Sequence, residues 1–258
     1  MKHAKPALAL LMLAACIMAL CACAAESPSY AERLTLIGTY PHDTDSFTQG
    51  LFFHDGQLYE STGLRGQSRL FKNVDISTGA PEAEASLSDE LFGEGAVFFE
   101  GSIYMLTYRE NTVLLFDPGS LALKASLPYP REGWGLTTDG ECLIASDGTA
   151  TLFFMDGQLN TLNTIEVTHN GQSVENLNEL EYIDGEIWAN VWLEDHIVII
   201  DPGSGEVKEA LSFAELVPER SELKNSDSVL NGIALDPQTG KIYITGKNWP
   251  ALFEFEMK

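Results

Sequence analysis

Cysteine is scarce in this chain, and its distribution excludes a disulfide within the folded part. The 258 residues include four cysteines, of which Cys16, Cys21 and Cys23 lie close together near the N-terminus. Only Cys142 remains, in an apolar segment typical of a strand. A single thiol cannot form an intramolecular disulfide, so we expect Cys142 to be a small core residue.

Positive charge is also scarce. Lys and Arg number 15 against 38 Asp and Glu, which gives a formal net charge of −23 at pH 7. Removal of residues 1–22 as a targeting segment would take away Lys2 and Lys5 and bring the charge to −25. No cluster of basic residues offsets this acidity, so binding to nucleic acid is excluded.

Long apolar runs are absent apart from one at the N-terminus. Ala7 to Leu20 follows two lysines and is too short to span a membrane comfortably, as in an export signal. Leu20-Cys21-Ala22-Cys23 resembles a bacterial lipobox, which would make Cys23 the lipidated N-terminus. Alternative cleavage patterns are a second lipobox ending at Cys16 and an ordinary signal-peptidase site, Ala22-Cys23-Ala24.

These features predict the organisation of the chain. We expect a signal peptide over residues 1–23, a short tether over residues 24–32, and one domain over residues 33–258. The protein is then an exported bacterial protein, either periplasmic or attached to the membrane from outside the cytoplasm by a lipid anchor. We expect a monomer.

Generic catalytic and metal-binding motifs are missing too. There is no Gly-x-Ser-x-Gly elbow, phosphate loop or paired-cysteine metal site. Four histidines lie in or beside turns without metal-like spacing, and we interpret them as surface residues: His42, His54, His169 and His196. The run His42 to Asp45 could bind a structural calcium ion, but acidic turns without an ion are commoner. We expect no required cofactor.

A short motif of a turn followed by apolar residues recurs five times. Its glycines, spaced 45, 39, 45 and 55 residues apart, are Gly56, Gly101, Gly140, Gly185 and Gly240. Each repeat has an apolar run before the turn, a second strand after it and a third strand further on. Repeats of this length and chemistry favour an all-β, five-bladed β-propeller.

The ends of the chain suggest how the ring closes. The fifth repeat has three strands and no fourth, and Arg33 to Tyr40 reads as a strand that precedes the first repeat. We expect that N-terminal strand to pair with the last blade and remove its open edge. A distorted six-bladed ring and a β-sandwich are alternatives. The one helical candidate is residues 212–224, within the insertion that lengthens the last spacing.

Polar and aromatic residues stand at the same place in every repeat, beside the first strand. The five equivalent positions are Gln49, Glu94, Trp134, Asn178 and Asn231. Since the first strand of each blade lines the central channel of a propeller, these side chains could converge on one axial pocket. A ring of hydrophilic side chains that merely hydrates the channel is the alternative.

Several segments together resemble one enzyme family, the plant and bacterial glutaminyl-peptide cyclotransferases. The similar stretches extend from about Thr39 to the C-terminus and include these runs: Phe47-Thr48-Gln49-Gly50-Leu51, Phe92-Gly93-Glu94-Gly95, Gly133-Trp134-Gly135-Leu136, Asn178-Glu179-Leu180-Glu181, Trp188-Ala189-Asn190-Val191-Trp192 and Gly246-Lys247-Asn248-Trp249-Pro250. The resemblance implies a five-bladed propeller that converts N-terminal glutamine of peptides or proteins to pyroglutamate and releases ammonia.

The resemblance implies site roles for Gln49, Glu94, Trp134, Asn178, Trp192 and Lys247, and the positions at the beginnings of the repeats add the other candidates. The catalytic candidates are Glu94, Lys247, Asn178 and Gln49. The substrate-binding candidates are Trp134, Trp192, Tyr108, Phe47, Phe92 and Asn231. Tyr108 departs from the pattern, because the family usually has Trp there. We expect Trp188 and Trp249 to pack in the core.

Elementary chemistry assigns roles to these candidates. Glu94 is expected to take a proton from the α-amine and deliver one to the departing ammonia, with apolar walls raising its pKa. Lys247, Gln49 and Asn178 are expected to stabilise the developing oxyanion without a metal. Lys247 could instead form a salt bridge between blades. Alternatives for the whole protein are a non-catalytic propeller that binds a peptide or small ligand, and a metal-dependent, lactonase-like hydrolase.

Overall fold

The computed structural model describes residues 27–219 and 221–258, so the predicted signal peptide lies outside the described residues. The chain forms short antiparallel strands and two 3₁₀ turns, Tyr30–Glu32 and Ala214–Leu216. The strands in chain order are β1 (Leu34–Pro41), β2 (Thr48–His54), β3 (Gln57–Thr62), β4 (Arg69–Val74), β5 (Pro81–Ser86), β6 (Gly93–Phe99), β7 (Ser102–Thr107), β8 (Thr112–Phe116), β9 (Leu123–Pro128), β10 (Leu136–Thr138), β11 (Leu143–Ser146), β12 (Thr151–Met155), β13 (Thr161–Glu166), β14 (Thr168–His169), β15 (Gln172–Ser173), β16 (Leu177–Ile183), β17 (Glu186–Val191), β18 (His196–Ile200), β19 (Val207–Ser212), β20 (Leu230–Asp236), β21 (Lys241–Gly246) and β22 (Ala251–Met257).

Five four-stranded sheets form the blades of a propeller. Blades 1 to 4 consist of β2–β5, β6–β9, β10–β13 and β16–β19, and blade 5 has the order β1-β22-β21-β20. The first strands contact one another in a closed cycle, β2 with β6, then β10, β16, β20 and β2 again. The predicted five-bladed, all-β fold is therefore confirmed, with these first strands around the axis.

The recurrent turn motif forms tight hairpins between the first and second strands. In blade 1, Asp55 and Gly56 join β2 to β3, and both have positive φ, 49° and 73°. Positive φ at both central residues is the type I′ geometry, whose twist matches that of the strands it joins. Asp184 and Gly185 repeat it in blade 4, with φ of 50° and 85°.

The core is divided among the five interfaces between neighbouring blades. Leu51 and Phe71 of blade 1 pack with Tyr243 and Leu252 of blade 5, and the other four interfaces hold comparable apolar clusters. Cys142 is buried in the cluster between blades 3 and 4, as predicted.

Blade 5 joins the two ends of the described chain. Strand β1 pairs antiparallel with β22, from Leu34 opposite Met257 to Pro41 opposite Ala251. Just before it, Tyr30 of the predicted tether is buried and stacks on Phe213 with ring centroids 5.3 Å apart. The last residues of that segment therefore pack on the propeller instead of extending away from it.

The helix predicted over residues 212–224 is wrong. Among the described residues of that insertion only Ala214–Leu216 forms a 3₁₀ turn, which ends at Val217 in an extended conformation with ψ of 124°. Pro218 explains the ending, because a proline disfavours the helical conformation of the residue before it and cannot donate a backbone hydrogen bond.

The surface assignment of His42 is also wrong. Its side chain is buried, whereas those of His54, His169 and His196 are half-buried. His42 follows β1, and blades 1 and 5 close over it. Its turn-like sequence context predicted exposure. The prediction failed because local sequence carries no information about the segment near the C-terminus that contacts His42.

Candidate active site

A cavity of about 240 Å³ opens at one end of the axis. Its lining comes from segments just before or within the first strands and just after the second strands. Because these strands are antiparallel, those segments meet at the same end of each blade. The lining residues are Phe47, Gln49, Leu64, Phe92, Glu94, Tyr108, Trp134, Asn178, Trp192, Asp227 and Lys247.

Irregular strand pairing accompanies the polar residues of the cavity. The β2–β3 register shifts between Thr48 and Gly50, around Gln49. Equivalent shifts flank Glu94 in blade 2, Asn178 in blade 4 and Asn231 in blade 5. A bulge re-aims a side chain by inserting an unpaired residue, so the same device recurs at four of the five equivalent positions.

Asn231 does not line the cavity, unlike the other four residues at equivalent positions. It is fully buried, and its Nδ2 donates to the Thr48 carbonyl at 2.9 Å and to Gln49 Oε1 at 3.4 Å. Asn231 therefore supports Gln49 from behind. Since the Gln49 oxygen has this partner, its Nε2 is left as a donor for the cavity.

Glycine allows the first strands to approach closely beneath the cavity. A Cβ on Gly135 would lie 1.9 Å from the Asn178 carbonyl oxygen, and one on Gly95 would lie 2.6 Å from the Leu136 nitrogen. Both contacts are with backbone, which cannot move away like a flexible side chain. Gly95 and Gly135 are thus required by the spacing of blades 2, 3 and 4.

Five aromatic rings form a continuous wall. Neighbouring ring centroids are 6.2 Å apart for Phe47 and Phe92, 5.7 Å for Phe92 and Tyr108, 6.4 Å for Tyr108 and Trp134, and 5.8 Å for Trp134 and Trp192. Such edge-to-face and tilted pairs hold one another in place. The wall offers an apolar surface against which a small side chain can be folded.

Glu94 is the buried carboxyl of the cavity, with 5% of its surface exposed. Its backbone is fixed by Ser61, whose hydroxyl donates to the Glu94 carbonyl at 2.8 Å. Burial raises the pKa of Glu94 well above its ordinary value; Lys247 opposes this shift, whereas Glu110 and Glu132 add to it. A carboxyl whose pKa is raised in this way holds a proton more readily, as a group that both accepts and returns a proton must.

Lys247 is the buried amine of the cavity. Burial lowers its pKa to about 8, although Glu94 and Asp227 both act to raise it. Its Nζ lies 4.9 Å from the centre of the Phe47 ring. Among the described residues no carboxylate oxygen lies within 4.0 Å of it, so the alternative of a salt bridge between blades is not observed.

The cavity rim carries charges that are mostly paired. Arg109 lies over the Tyr108 ring at 4.4 Å and donates to Glu132 at 2.7 Å. Glu132 also accepts from the Trp134 indole at 3.3 Å. The same carboxylate is therefore linked to Trp134 directly and to Tyr108 through Arg109. Arg65 pairs with Glu110 nearby.

Two lining residues were not among the predicted site residues. Leu64 lies just after β3, the second strand of blade 1, and it has a φ of 77°. Tyr108, Trp192 and Lys247 likewise lie just after the second strands of their blades. The signal for Leu64 was available, since the run from Tyr59 to Leu64 also resembles the family. Asp227 lies in the insertion before β20, which has no counterpart in the other repeats, so the repeat pattern contained no signal for it.

Two kinds of feature are absent from the part of the chain that the structure describes. Across residues 27–219 and 221–258, no group of three or more His, Cys, Asp and Glu side chains is arranged to hold a metal ion. In the same part of the chain, no helix is long and apolar enough to cross a membrane.

Comparison with known proteins gives a consistent result. The family model described as Glutamine cyclotransferase matches residues 8–257. The glutaminyl-peptide cyclotransferase of Arabidopsis thaliana is 38% identical over 232 residues, which cover 88% of this chain and 72% of that protein. The crystal structure of Myxococcus xanthus glutaminyl cyclase matches with a TM-score of 0.81 and 34% identity, over 88% of this chain and 97% of that one. A streptogramin B lyase structure, 9% identical with a TM-score of 0.51 over 88% of this chain and 99% of that one, shares the fold alone.

Proposed function

We propose a role for Glu94 in the reaction of the family to which this chain belongs, the glutamine cyclotransferases. The chain converts the N-terminal glutamine of peptides to pyroglutamate with release of ammonia. In our proposal Glu94 moves the protons of this reaction. The observation that carries the assignment is a buried carboxyl with a raised pKa in a cavity of about 240 Å³.

The proposed reaction has two steps, attack by the amine and departure of ammonia. The neutral α-amine attacks the Cδ of its own side-chain amide, forming the ring C–N bond, and Glu94 accepts one proton from that nitrogen. The tetrahedral intermediate then expels the amide nitrogen, which receives the proton from Glu94 and leaves as ammonia. No net proton is gained or lost, so one carboxyl is sufficient.

Donors and acceptors around Glu94 support this scheme. Lys247 and the Nε2 of Gln49 would donate to the oxyanion that develops on the amide oxygen. Asn178 is 2% exposed, and its Oδ1 has no partner among the described residues. A buried acceptor without a partner is costly, and an N–H of the substrate would satisfy it.

The aromatic wall contributes proximity. An extended glutamine must bend so that its amine reaches its own amide, and this bending costs conformational entropy. Packing of the side chain against Phe47, Phe92, Tyr108, Trp134 and Trp192 would hold the bent form before the reaction. This is binding energy used to orient the reactants.

Glu94→Gln tests the proposal. We expect turnover of a Gln-initiated peptide to fall by roughly three orders of magnitude or more, measured as ammonia release and the matching mass loss. Glu141→Gln, in an exposed turn, is the control and should remain fully active. A loss below about tenfold for Glu94→Gln would remove Glu94 from the proton-transfer role. A folded parent with no activity on any Gln peptide would instead favour a binding propeller.

We also propose that the chain is exported, acts as a monomer and needs no metal. The support is the N-terminal sequence with its lipobox-like Cys23, and a cavity whose lining includes an amine as well as carboxyls, a poor cage for a cation. The mass of the mature protein from cells distinguishes a lipidated Cys23 from free secretion. Loss of activity in a chelator would contradict metal independence.

A further inference from the structure

A buried histidine–glutamate pair lies outside the cavity, at the interface of blades 1 and 5. The side chains of His42 and Glu60 are each 4% exposed, and His42 Nε2 lies 3.2 Å from Glu60 Oε1. His42 Nδ1 lies 2.8 Å from the Trp249 carbonyl oxygen. The Thr48 hydroxyl donates to the same Glu60 oxygen at 2.7 Å.

The partners determine where the protons are. The Trp249 carbonyl can only accept, so His42 Nδ1 carries a proton. Nε2 faces a carboxylate oxygen that already accepts from Thr48, so it carries a proton as well. Burial alone would lower the pKa of His42, but Glu60, the Trp249 carbonyl and Asp43 outweigh it and raise that pKa. His42 and Glu60 thus form a buried ion pair.

This pair connects two segments that carry residues of the active site. Trp249 lies two residues after Lys247, in a tight turn whose Trp249 nitrogen donates to the Gly246 carbonyl at 3.1 Å. Thr48 immediately precedes Gln49 in β2. The line of contacts from the Lys247 turn through His42 and Glu60 therefore ends beside Gln49.

The turn that carries Lys247 is fixed at other points as well. Asn248 donates through its backbone to Ser46 at 2.7 Å and through Nδ2 to the Thr44 carbonyl at 2.8 Å. The Lys247 backbone donates to Val229 at 2.8 Å. His42 differs from the other members of this set because its side chain contacts both the turn and a buried carboxylate of blade 1, that of Glu60.

We propose that the His42–Glu60 pair is a positioning device that sets the turn carrying Lys247 against the strand carrying Gln49, and so places the Lys247 amine for the reaction. A buried ion pair is seldom more stable than an apolar pair of the same volume, because both charges lose their hydration. Its directional contacts, however, define one arrangement of the two segments. The proposal rests on the proposed function in so far as Lys247 acts on the substrate.

Two replacements of similar shape each keep one hydrogen bond of the His42 ring and remove the other. The amide of Asn can take the place of Nδ1 and keep the Trp249 contact, whereas the amide of Gln can take the place of Nε2 and keep the Glu60 contact. His42→Gln therefore releases the Lys247 turn, and we expect kcat to fall about tenfold with KM changed by less than about threefold. His42→Asn should retain more activity than His42→Gln. His169→Gln, in the β14–β15 hairpin, should match the parent.

A double-mutant cycle with Lys247→Met separates positioning from a purely structural role. If His42 acts through Lys247, adding His42→Gln to Lys247→Met should change kcat by less than about twofold. Additive losses, or a His42→Gln variant with parental kcat and only a lower melting temperature, would overturn the proposal. Should His42→Gln not fold, Glu60→Gln takes its place, with a several-fold loss of kcat that also vanishes in the Lys247→Met background.

A readout independent of turnover distinguishes this proposal from the proposed function. Titration of ¹³C-labelled lysine by NMR reports the pKa of Lys247, which is about 8 in the parent. We expect His42→Gln to move that pKa by about half a unit or more, since a displaced amine changes its burial and its distance from Glu94. If His42→Gln leaves the Lys247 pKa unchanged, the positioning role is contradicted. If the parent has no activity but His42→Gln still shifts the Lys247 pKa, only the proposed function is contradicted.

Discussion

Glu94 and Lys247 share one cavity, and burial disfavours the charged form of each. The pKa of the carboxyl rises and that of the amine falls, while their mutual attraction opposes both shifts. A group titrating near neutral pH transfers protons most effectively at that pH. Burial thus brings the pKa of Lys247, about 8, close to the ordinary pKa of an α-amine, about 7.7–8.0, and moves the pKa of Glu94 upward from its usual acidic range.

Asp227 controls the alkaline side of the pH dependence. Its negative charge raises the pKa of Lys247, so Asp227→Asn should lower that pKa below its parental value of about 8. If protonated Lys247 stabilises the oxyanion, activity is lost as pH rises through this pKa, and the alkaline limb of kcat should move to lower pH. We expect a shift of a few tenths of a unit, because Asp227 is exposed and screened by solvent. Asp184→Asn, in a turn outside the cavity lining, is the control, and a shift to higher pH would contradict the assignment.

Tyr108 tests the aromatic wall. Its ring contacts Phe92 and Trp134 on the cavity side, while Arg109 covers the ring from the rim. Tyr108→Ala should raise KM for a Gln peptide by about tenfold or more, because the apolar surface that holds the substrate is interrupted. Tyr108→Phe should stay within about threefold of the parent if the ring, and not its hydroxyl, is what matters. Equal losses in both variants would assign the role to the hydroxyl.

At the scale of elements, bulges in the strands set the direction of the site side chains, and glycines allow neighbouring strands to lie close together. Bulges accompany Gln49, Glu94 and Asn178, and neighbouring glycines allow the strands that carry them to approach. Each blade therefore contributes side chains to the cavity without a long loop. Only Asp227 comes from an insertion, which is why it has no equivalent in other blades.

Gly135→Ala should damage both stability and the site. The added Cβ would meet the Asn178 carbonyl oxygen at 1.9 Å, so β10 and β16 must separate. We expect a loss of about 3 kcal/mol or more in the free energy of unfolding, measured by denaturant titration, together with a higher KM because Asn178 moves. Gly119→Ala is matched to it, since the new Cβ would meet only a flexible carboxylate at 3.3 Å. Similar stabilities for the two variants would show that β10 and β16 can relax.

At the scale of the whole molecule, apolar clusters at five interfaces hold a ring of similar sheets. The apolar clusters lie between neighbouring blades, so the blade 1–blade 5 interface must be held by residues distant in sequence. Strand β1, His42 and the Lys247 turn all contribute to it. The position of an active-site amine is thereby coupled to the interface that joins the two ends of the domain.

Deletion of residues 1–41 should destabilise the ring far more than deletion of residues 1–26. The longer deletion removes β1 and leaves β22 as an unpaired edge strand, which favours association between molecules. We expect a lower melting temperature and oligomers in analytical ultracentrifugation. A monomeric variant with the melting temperature of the shorter deletion would show that β1 contributes little.

The repeat pattern by itself determined the fold class and the number of blades, because strands and tight turns are specified locally. It also indicated Cys142, Trp188 and Trp249 as core residues, and the structure confirms their burial. Gln49, Glu94 and Asn178 could be singled out because each stands at the same point of its repeat. Position within a repeat is a local property, and the propeller converts it into a shared axis.

The tertiary structure alone decided what depends on segments far apart in sequence. It buried His42 opposite Glu60, placed Asn231 behind Gln49 and brought Asp227 of an irregular insertion into the lining. None of these contacts repeats from blade to blade, so the repeat pattern of the sequence does not predict them. The pKa shifts of Glu94 and Lys247 belong to the same class, because burial is produced by all five blades together and by no one of them alone.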